Sequence, residues 1–254
     1  MALKSKKNVR QERWNYKTMF GPYMNFAATE GYKLLRTNIM FSFPDEGKCR
    51  VIGISSATAS EGKSSTACNT VYALQEAGAR ALLLEADLRR PTIASKLGLA
   101  RVPGLTNLLV AKWTPKEVVQ HCSAAPDMDV ITSGDIPPNP SELLGSPRMA
   151  QLLEELKGSY DYIILDLPPI TAVSDALAAS KLLDGIILVV RDGVSNQQFL
   201  AEALRQINLV DVRILGFVYR DSGETSGKYR SKYKYRYKYY KAYLQQADRE
   251  ETKA

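Results

Sequence analysis

The sequence is poor in the residues that announce a metal centre or a disulfide scaffold. Among 254 residues there are three cysteines and one histidine. Cys49, Cys68 and Cys122 are far apart and form no CxxC pair, and His121 has no second histidine to share a metal with. That pattern excludes a disulfide framework and a zinc site. Long apolar runs are missing as well. The strongest, residues 182 to 191, is interrupted by Asp184 and falls short of the roughly 20 residues a spanning helix needs. The start, "MALKSKKNVRQERWNY", is basic but leads into no apolar stretch, so a secretory signal is not expected. Any link to a membrane is expected to run through another chain or through surface charge.

What is present suits one packed α/β domain: 45% of the residues are hydrophobic, and the length supports a single core. The net charge of +7 is gathered at the two ends. Lys4, Lys6, Lys7, Arg10, Arg13 and Lys17 crowd the start, while the middle is nearly neutral. We therefore divide the chain into a basic arm (1–27), a domain (28–221) and a tail (222–254). Within the tail, "KYRSKYKYRYKYYKAY" (228–243) holds seven of the 14 tyrosines among seven lysines and arginines. It has almost nothing aliphatic to offset the entropy of ordering its backbone, and is expected to be mobile.

Short β-branched runs alternate with helical patterns through the domain, the habit of a mostly parallel sheet with helices on both faces. Strands are expected at 51–56, 79–87, 128–134, 160–166, 184–191 and 212–220. Helices are expected at about 27–40, 63–77, 141–157, 172–182 and 195–208, with Ser141 and Ser174 as N-caps. Residues 98–126 read as a short helix around 105–109 plus loop.

The sharpest chemistry follows the first strand. "ATASEGKS", from Ala57 to Ser64, fits the [AG]xxxxGK[ST] phosphate-binding loop. Such a loop needs inward-pointing backbone N–H groups, a helix N-terminus, a lysine for the β- and γ-phosphates and a hydroxyl for Mg²⁺. Ala59, Ser60, Glu61, Gly62, Lys63, Ser64 and Ser65 are the candidate nucleotide-binding residues, placed between a strong strand and a strong helix.

Carboxylates occur at two further strand ends. In "LLLEADLRRP", Glu85 and Asp87 alternate and are expected on one side of a strand, followed by Arg89 and Arg90, for which holding phosphate, pairing with the acidic cluster and simple surface solvation stay open. In "YIILDLPP" the strand ends in Asp166 before Pro168 and Pro169. Parallel strands bring such ends to the ligand-binding edge of an open α/β sheet. Ser64, Glu85, Asp87 and Asp166 are therefore the candidate metal ligands of a Mg²⁺-nucleotide site.

The loop "SEGKSST", the motifs "EADLRRP" and "ILDLPP", the segment "PPNPSELLGS", "SDA" at 174–176 and the tyrosine cluster together resemble the bacterial tyrosine kinases of capsular and exopolysaccharide synthesis. This is a P-loop fold unrelated to eukaryotic protein kinases and akin to the MinD/ParA ATPases. The latter carry an extra lysine five positions before the loop lysine; Thr58 stands there in this chain. The resemblance implies ATP and Mg²⁺ as cofactors and catalytic roles for Lys63, Glu85, Asp87 and Asp166. It implies autophosphorylation in trans of Tyr229, Tyr233, Tyr235, Tyr237, Tyr239, Tyr240 and Tyr243. The family has aspartate where this chain has Glu85, so restoring aspartate is expected to speed transfer. Tyr219 and Arg220 stand where relatives often place an asparagine near the adenine, which leaves base recognition open.

The upstream "EGYKLLRTN" resembles the family's oligomerisation segment, so Glu30, Lys33 and Arg36 are expected to close a homo-oligomeric ring. Lys33, replacing arginine, loses bidentate geometry. The resemblance further implies a transmembrane activator of the polysaccharide co-polymerase type, a cognate phosphatase, and a cytoplasmic chain held at the membrane by its partner. The tail reads as the enzyme's own substrate. About four phosphates would cancel its seven basic charges. Interleaved aromatic and basic residues also suit single-stranded nucleic acid, and a polybasic segment suits anionic lipid; the motifs favour neither as the main role. The competing functions are an ATPase switch bound to a membrane partner without tyrosine kinase activity, and a non-catalytic basic anchor.

Overall fold

The computed structural model describes residues 24–220, apart from 44, 46, 111, 112, 123 and 124. The basic arm before residue 24 and all seven candidate acceptor tyrosines lie outside the described residues. Seven strands form one sheet: β1 (Arg50–Ser56), β2 (Ala81–Glu85), β3 (Gln120–Cys122), β4 (Ala125–Ile131), β5 (Tyr162–Asp166), β6 (Gly185–Arg191) and β7 (Ile214–Arg220). Their order is β3-β4-β2-β5-β1-β6-β7. The pairs among β4, β2, β5, β1, β6 and β7 are parallel, and β3 runs antiparallel along β4 at the edge.

The central strands are apolar almost throughout because both of their faces are covered. Side chains alternate between two cores. Val51, Leu82, Leu84, Ile163, Leu165, Ile186 and Leu188 face one side. There they meet α4 (Leu105–Leu109), α6 (Pro140–Leu144), α7 (Pro147–Lys157), α8 (Asp175–Ala179) and α9 (Gln197–Leu209). Ile52, Ile54, Leu83, Ile164, Ile187 and Val189 face the other side, against α1 (Phe26–Phe41), α2 (Lys63–Gln75) and α3 (Ile93–Leu97). Asp184, which interrupts the apolar run before β6, accepts the Val51 N–H at 2.7 Å and fixes where β1 begins.

Two expected helices are subdivided. The 141–157 helix breaks at Gly145–Ser146, where Pro147 removes a donor and restricts the residue before it. Ser146 then caps α7 by accepting from Met149 N at 3.2 Å. Asn139, and not Ser141, holds the N-cap position of α6. The 172–182 helix shortens to α8 and a 3₁₀ turn, Ser180–Leu182; Ser174 holds its N-cap position without a side-chain bond. The segment 98–126 contains, besides α4, the short α5 (Pro115–Val118) and β3, neither of them expected.

The registers matter most for function. Ile54 of β1 and Glu85 of β2 both sit opposite Asp166 of β5. β2 and β5 therefore end level with each other, β1 runs two residues further to Ser56, and the loops after all three share one edge.

Candidate active site

The loop between β1 and α2 is held in shape from several directions. Ser60 and Gly62 both have positive φ, 67° and 98°, a conformation glycine adopts freely. A Cβ at position 62 would also lie 1.6 Å from Arg220 Nη1, so a larger residue there would displace the tip of that side chain. Glu61 is fully buried, and its carboxylate accepts from Thr58 N at 2.7 Å, from Thr58 Oγ1 at 2.6 Å and from the Ser195 hydroxyl. Arg191 donates to Ser60 O at 3.1 Å and Arg220 to Gly62 O at 3.4 Å. Residues at the end of β6, just after it, and at the end of β7 thus buttress the loop, a task no sequence motif signalled.

The loop delivers Lys63 into a nearly closed acidic niche. Lys63 Nζ lies 2.7 Å from Asp87 Oδ2, 3.4 Å from Asp166 Oδ1 and 3.5 Å from Ser64 Oγ. The side chains of Lys63, Asp87 and Asp166 are 11%, 7% and 1% exposed. Burial weighs against the charge on Lys63, but Asp166 and Asp87 outweigh it and hold its pKa above the ordinary lysine value. The carboxylates are less well compensated, since two of them share one ammonium. Burial pushes the Asp166 carboxyl upward against the pull of Lys63 and Ser64.

This excess of negative charge is the test of whether Mg²⁺ fits. Asp166 Oδ2 is buried and has no hydrogen-bond partner, and the Ser64 hydroxyl lies on the same carboxylate's surroundings. An orphaned buried oxygen beside a hydroxyl suits a hard cation. Among the described residues no group of three or more His, Cys, Asp or Glu gathers as a metal cluster. A Mg²⁺ ion held here would therefore take its remaining positions from phosphate and water oxygens, as is usual for that ion.

Glu85 is placed differently from what the spacing suggested. β2 ends at Glu85, so the alternation that would aim Glu85 and Asp87 the same way lapses. The Glu85 side chain accepts three backbone N–H groups: Thr92 and Ile93 on Oε1, both at 2.6 Å, and Ser133 on Oε2 at 3.0 Å. It is fully buried. Burial pushes its carboxyl upward while the three amides pull it down, with burial prevailing. Three of the roughly four acceptor sites of the Glu85 carboxylate are thus taken by its own chain. Asp87 keeps Oδ2 on Lys63 and uses Oδ1 to accept from Arg90 N at 3.0 Å.

Three further features escaped the sequence. Lys96 of α3 is buried with Nζ 2.9 Å from Thr92 Oγ1, and burial lowers its pKa. Arg89 forms a two-pronged ion pair with Asp175 at 2.8 and 3.0 Å. On α1, Glu30 and Lys33 pair with each other at 2.9 Å, while Arg36 Nη1 donates at 3.0 Å to Ala73 O in the last turn of α2. A carbonyl there lacks an intrahelical donor, so Arg36 has a role within the chain. His121 is exposed and pairs with Asp129 at 2.7 Å. All three cysteines are free, and no helix among the described residues is long and apolar enough to cross a membrane.

Comparison with known proteins agrees with this geometry. The family model of ParA, described as NUBPL iron-transfer P-loop NTPase, matches residues 48–246. The chain is 37% identical over 218 residues to the tyrosine-protein kinase YwqD of Bacillus subtilis, covering 86% of this chain and 90% of that relative. The kinase domain of the Escherichia coli tyrosine kinase ETK superimposes with a TM-score of 0.73 at 31% identity, covering 79% of this chain and 78% of that one. The chimerical protein CapA2B2 gives a TM-score of 0.71 at 34% identity, covering 75% and 83%. With its phosphate loop, the shared edge of its central strands and its Lys63–Asp87–Asp166 niche, the chain belongs to the bacterial tyrosine-protein kinases built on the ParA-like P-loop NTPase fold.

Proposed function

We propose that the chain is an ATP-dependent protein-tyrosine kinase whose acceptors are the tyrosines of its own C-terminal segment, phosphorylated in trans. The observation that carries this reading is the buried Lys63 ammonium between Asp87 and Asp166 at the mouth of the phosphate loop. The amides of residues 59–65 and Lys63 bind the triphosphate, the lysine leaving its carboxylates for the β- and γ-phosphates. Ser64 and Asp166 hold Mg²⁺, which when bound neutralises charge on the phosphates. Asp87 then has an oxygen free to receive the proton of an incoming phenol. A phenol's ordinary pKa of about 10 keeps it protonated at neutral pH, so a carboxylate must take or steer that proton. Glu85 positions the loop that carries Asp87.

Tyr229, Tyr233, Tyr235, Tyr237, Tyr239, Tyr240 and Tyr243 are the proposed acceptors. Glu30, Lys33 and Arg36 are proposed to lie at a subunit contact that brings one chain's tail to another chain's site. The same reading includes a membrane adaptor partner, in keeping with the resemblance to the kinases of capsular and exopolysaccharide synthesis. Through it the chain would sit at the membrane and control polysaccharide export. The competing ATPase switch is disfavoured at position 58, where the Thr58 side chain is tied to Glu61 and no lysine is present to reach a neighbour.

The test is incubation of the full chain, with its adaptor co-expressed, in MgATP, followed by mass spectrometry of residues 228–243. Phosphotyrosine in wild type and none in Lys63→Met is expected. ATP hydrolysis without tail phosphotyrosine would instead establish the switch.

A further inference from the structure

The Arg89–Asp175 ion pair lies outside the niche, and its position says more than its strength. Asp175 is fully buried at the first position of α8, and the partly exposed Arg89 grips both of its oxygens at 2.8 and 3.0 Å. A buried ion pair is poor evidence of stabilisation, because a hydrophobic pair of equal volume serves as well or better. What a guanidinium fork supplies is a fixed orientation between two carriers. One carrier here is the loop after β2, where Arg89 stands two residues from Asp87. The other is the segment after β5, which starts at Asp166 and ends in α8.

The second segment is already tied down on its opposite flank. Leu167 N donates to Ile54 O at 3.0 Å, Ile170 N to Ser56 O at 2.9 Å, and Thr171 Oγ1 to Ala57 O at 2.8 Å. It therefore follows β1 and the phosphate loop. The loop after β2 has its own anchors toward β4, where Glu85 accepts from Ser133 N. Between the two loops Ala86 N to Asp166 O, at 2.9 Å, adds a backbone tie at the strand ends. Beyond that point Leu88 shares a buried core with Leu167 and Ile170, and Arg89–Asp175 is the polar bridge between the two loops. Once Lys63 turns to an anion, Asp87 loses its ammonium partner, and the bridge remains, together with the Glu85 amide contacts, to orient its loop toward the Asp166 segment.

We propose that Arg89 and Asp175 are positioning residues that set the distance of Asp87 from Asp166, and thereby the placement of the proton-accepting carboxylate when nucleotide is bound. The proposal rests on the kinase reading given above. It predicts that loss of the pair slows transfer without weakening nucleotide binding, since the phosphate loop makes no use of it.

The experiment uses the full chain as enzyme and Lys63→Met full chain as acceptor. Wild type, Arg89→Lys and Asp175→Asn are compared for kcat of tail phosphorylation and for the Kd of a fluorescent Mg-nucleotide, below their melting transitions. A fall in kcat of at least tenfold, with Kd within about threefold of wild type, is expected, a displacement near 1 Å being worth about a hundredfold. A kcat within twofold of wild type overturns the proposal, as does a loss of kcat matched by an equal loss of nucleotide affinity. Should a single variant fail to fold, Arg89→Met/Asp175→Leu removes both charges together. A folded, nucleotide-binding but slow double variant supports positioning, and a fully active one refutes it. If wild type itself makes no phosphotyrosine while hydrolysing ATP, the kinase reading fails first and this proposal falls with it.

Discussion

Glu85→Asp is the substitution on which the resemblance and the geometry disagree. Shortening the side chain by one carbon withdraws the carboxylate by about 1.5 Å. The three amide bonds, at 2.6, 2.6 and 3.0 Å, would then open beyond hydrogen-bonding distance unless the backbone moved. Each hydrogen bond to a charged group contributes about 1.5–3 kcal/mol, and partial relaxation recovers some of that. We expect a net loss of about 3–5 kcal/mol, which for a domain of this size lowers the melting temperature by about 10 °C. If the loop of Asp87 follows the amides by about 1 Å, transfer slows by about a hundredfold. Glu85→Gln keeps the length but must turn its NH₂ group toward one set of amides, so it should fall between wild type and aspartate.

The assays are thermal unfolding by circular dichroism and tail phosphorylation of a Lys63→Met acceptor. An aspartate variant that melts within about 2 °C of wild type and transfers as fast or faster would refute the reasoning. In that case the carboxylate at the end of β2 serves the chemistry directly, as the family's aspartate implies, and the amide contacts are dispensable.

Other consequences follow from the same niche and from α1. Lys63→Met leaves Asp87 and Asp166 buried without their cation, and breaking a buried pair costs about 3–5 kcal/mol. Millimolar Mg²⁺ without nucleotide should restore more of the melting temperature in this variant than it adds to wild type; an equal shift in both would argue against a cation site there. Arg36→Ala removes the donor to Ala73 O and should lower stability by about 1–2 kcal/mol in urea. If Arg36 also closes the ring, sedimentation will show a smaller assembly and tail phosphorylation will fall with it. Lower stability with unchanged mass would confine Arg36 to its role between α1 and α2.

How much of this was legible in the sequence depends on whether the signal is local. β1, the phosphate loop and α2 were readable because an apolar run, a turn needing glycine and a lysine follow one another directly. β5 was readable because "YIILDLPP" stops its own ladder. β3 was not, since Gln120–Cys122 is three residues long and owes its extended form to β4. α5 carried a signal that went unread: Thr114 and Glu117 form a capping box around Pro115. Tertiary destinations were the hardest to see. A lysine on a helix reads as solvated, yet Lys96 is buried. The start of α3 is fixed by Glu85, seven and eight residues upstream of the amides it binds. No periodicity announces such a contact.

The carboxylates show why motif spacing alone could not assign roles. Glu85, Asp87 and Asp166 are equally acidic on paper, and the strands bring all three to one edge. What separates them is the supply of donors. Glu85 meets three amides, Asp87 meets one amide and the lysine, and Asp166 shares the lysine and keeps one oxygen without a partner. The less a buried carboxylate is satisfied by its own chain, the more it gains from a ligand. By that measure we propose that Glu85 serves the fold, Asp166 a cation and Asp87 both in turn. Lys63 makes the three-way division work. It offsets two carboxylates until a stronger anion draws it away, and its departure leaves them in need of positive charge. Nucleotide and divalent cation are therefore expected to bind together more tightly than either binds alone.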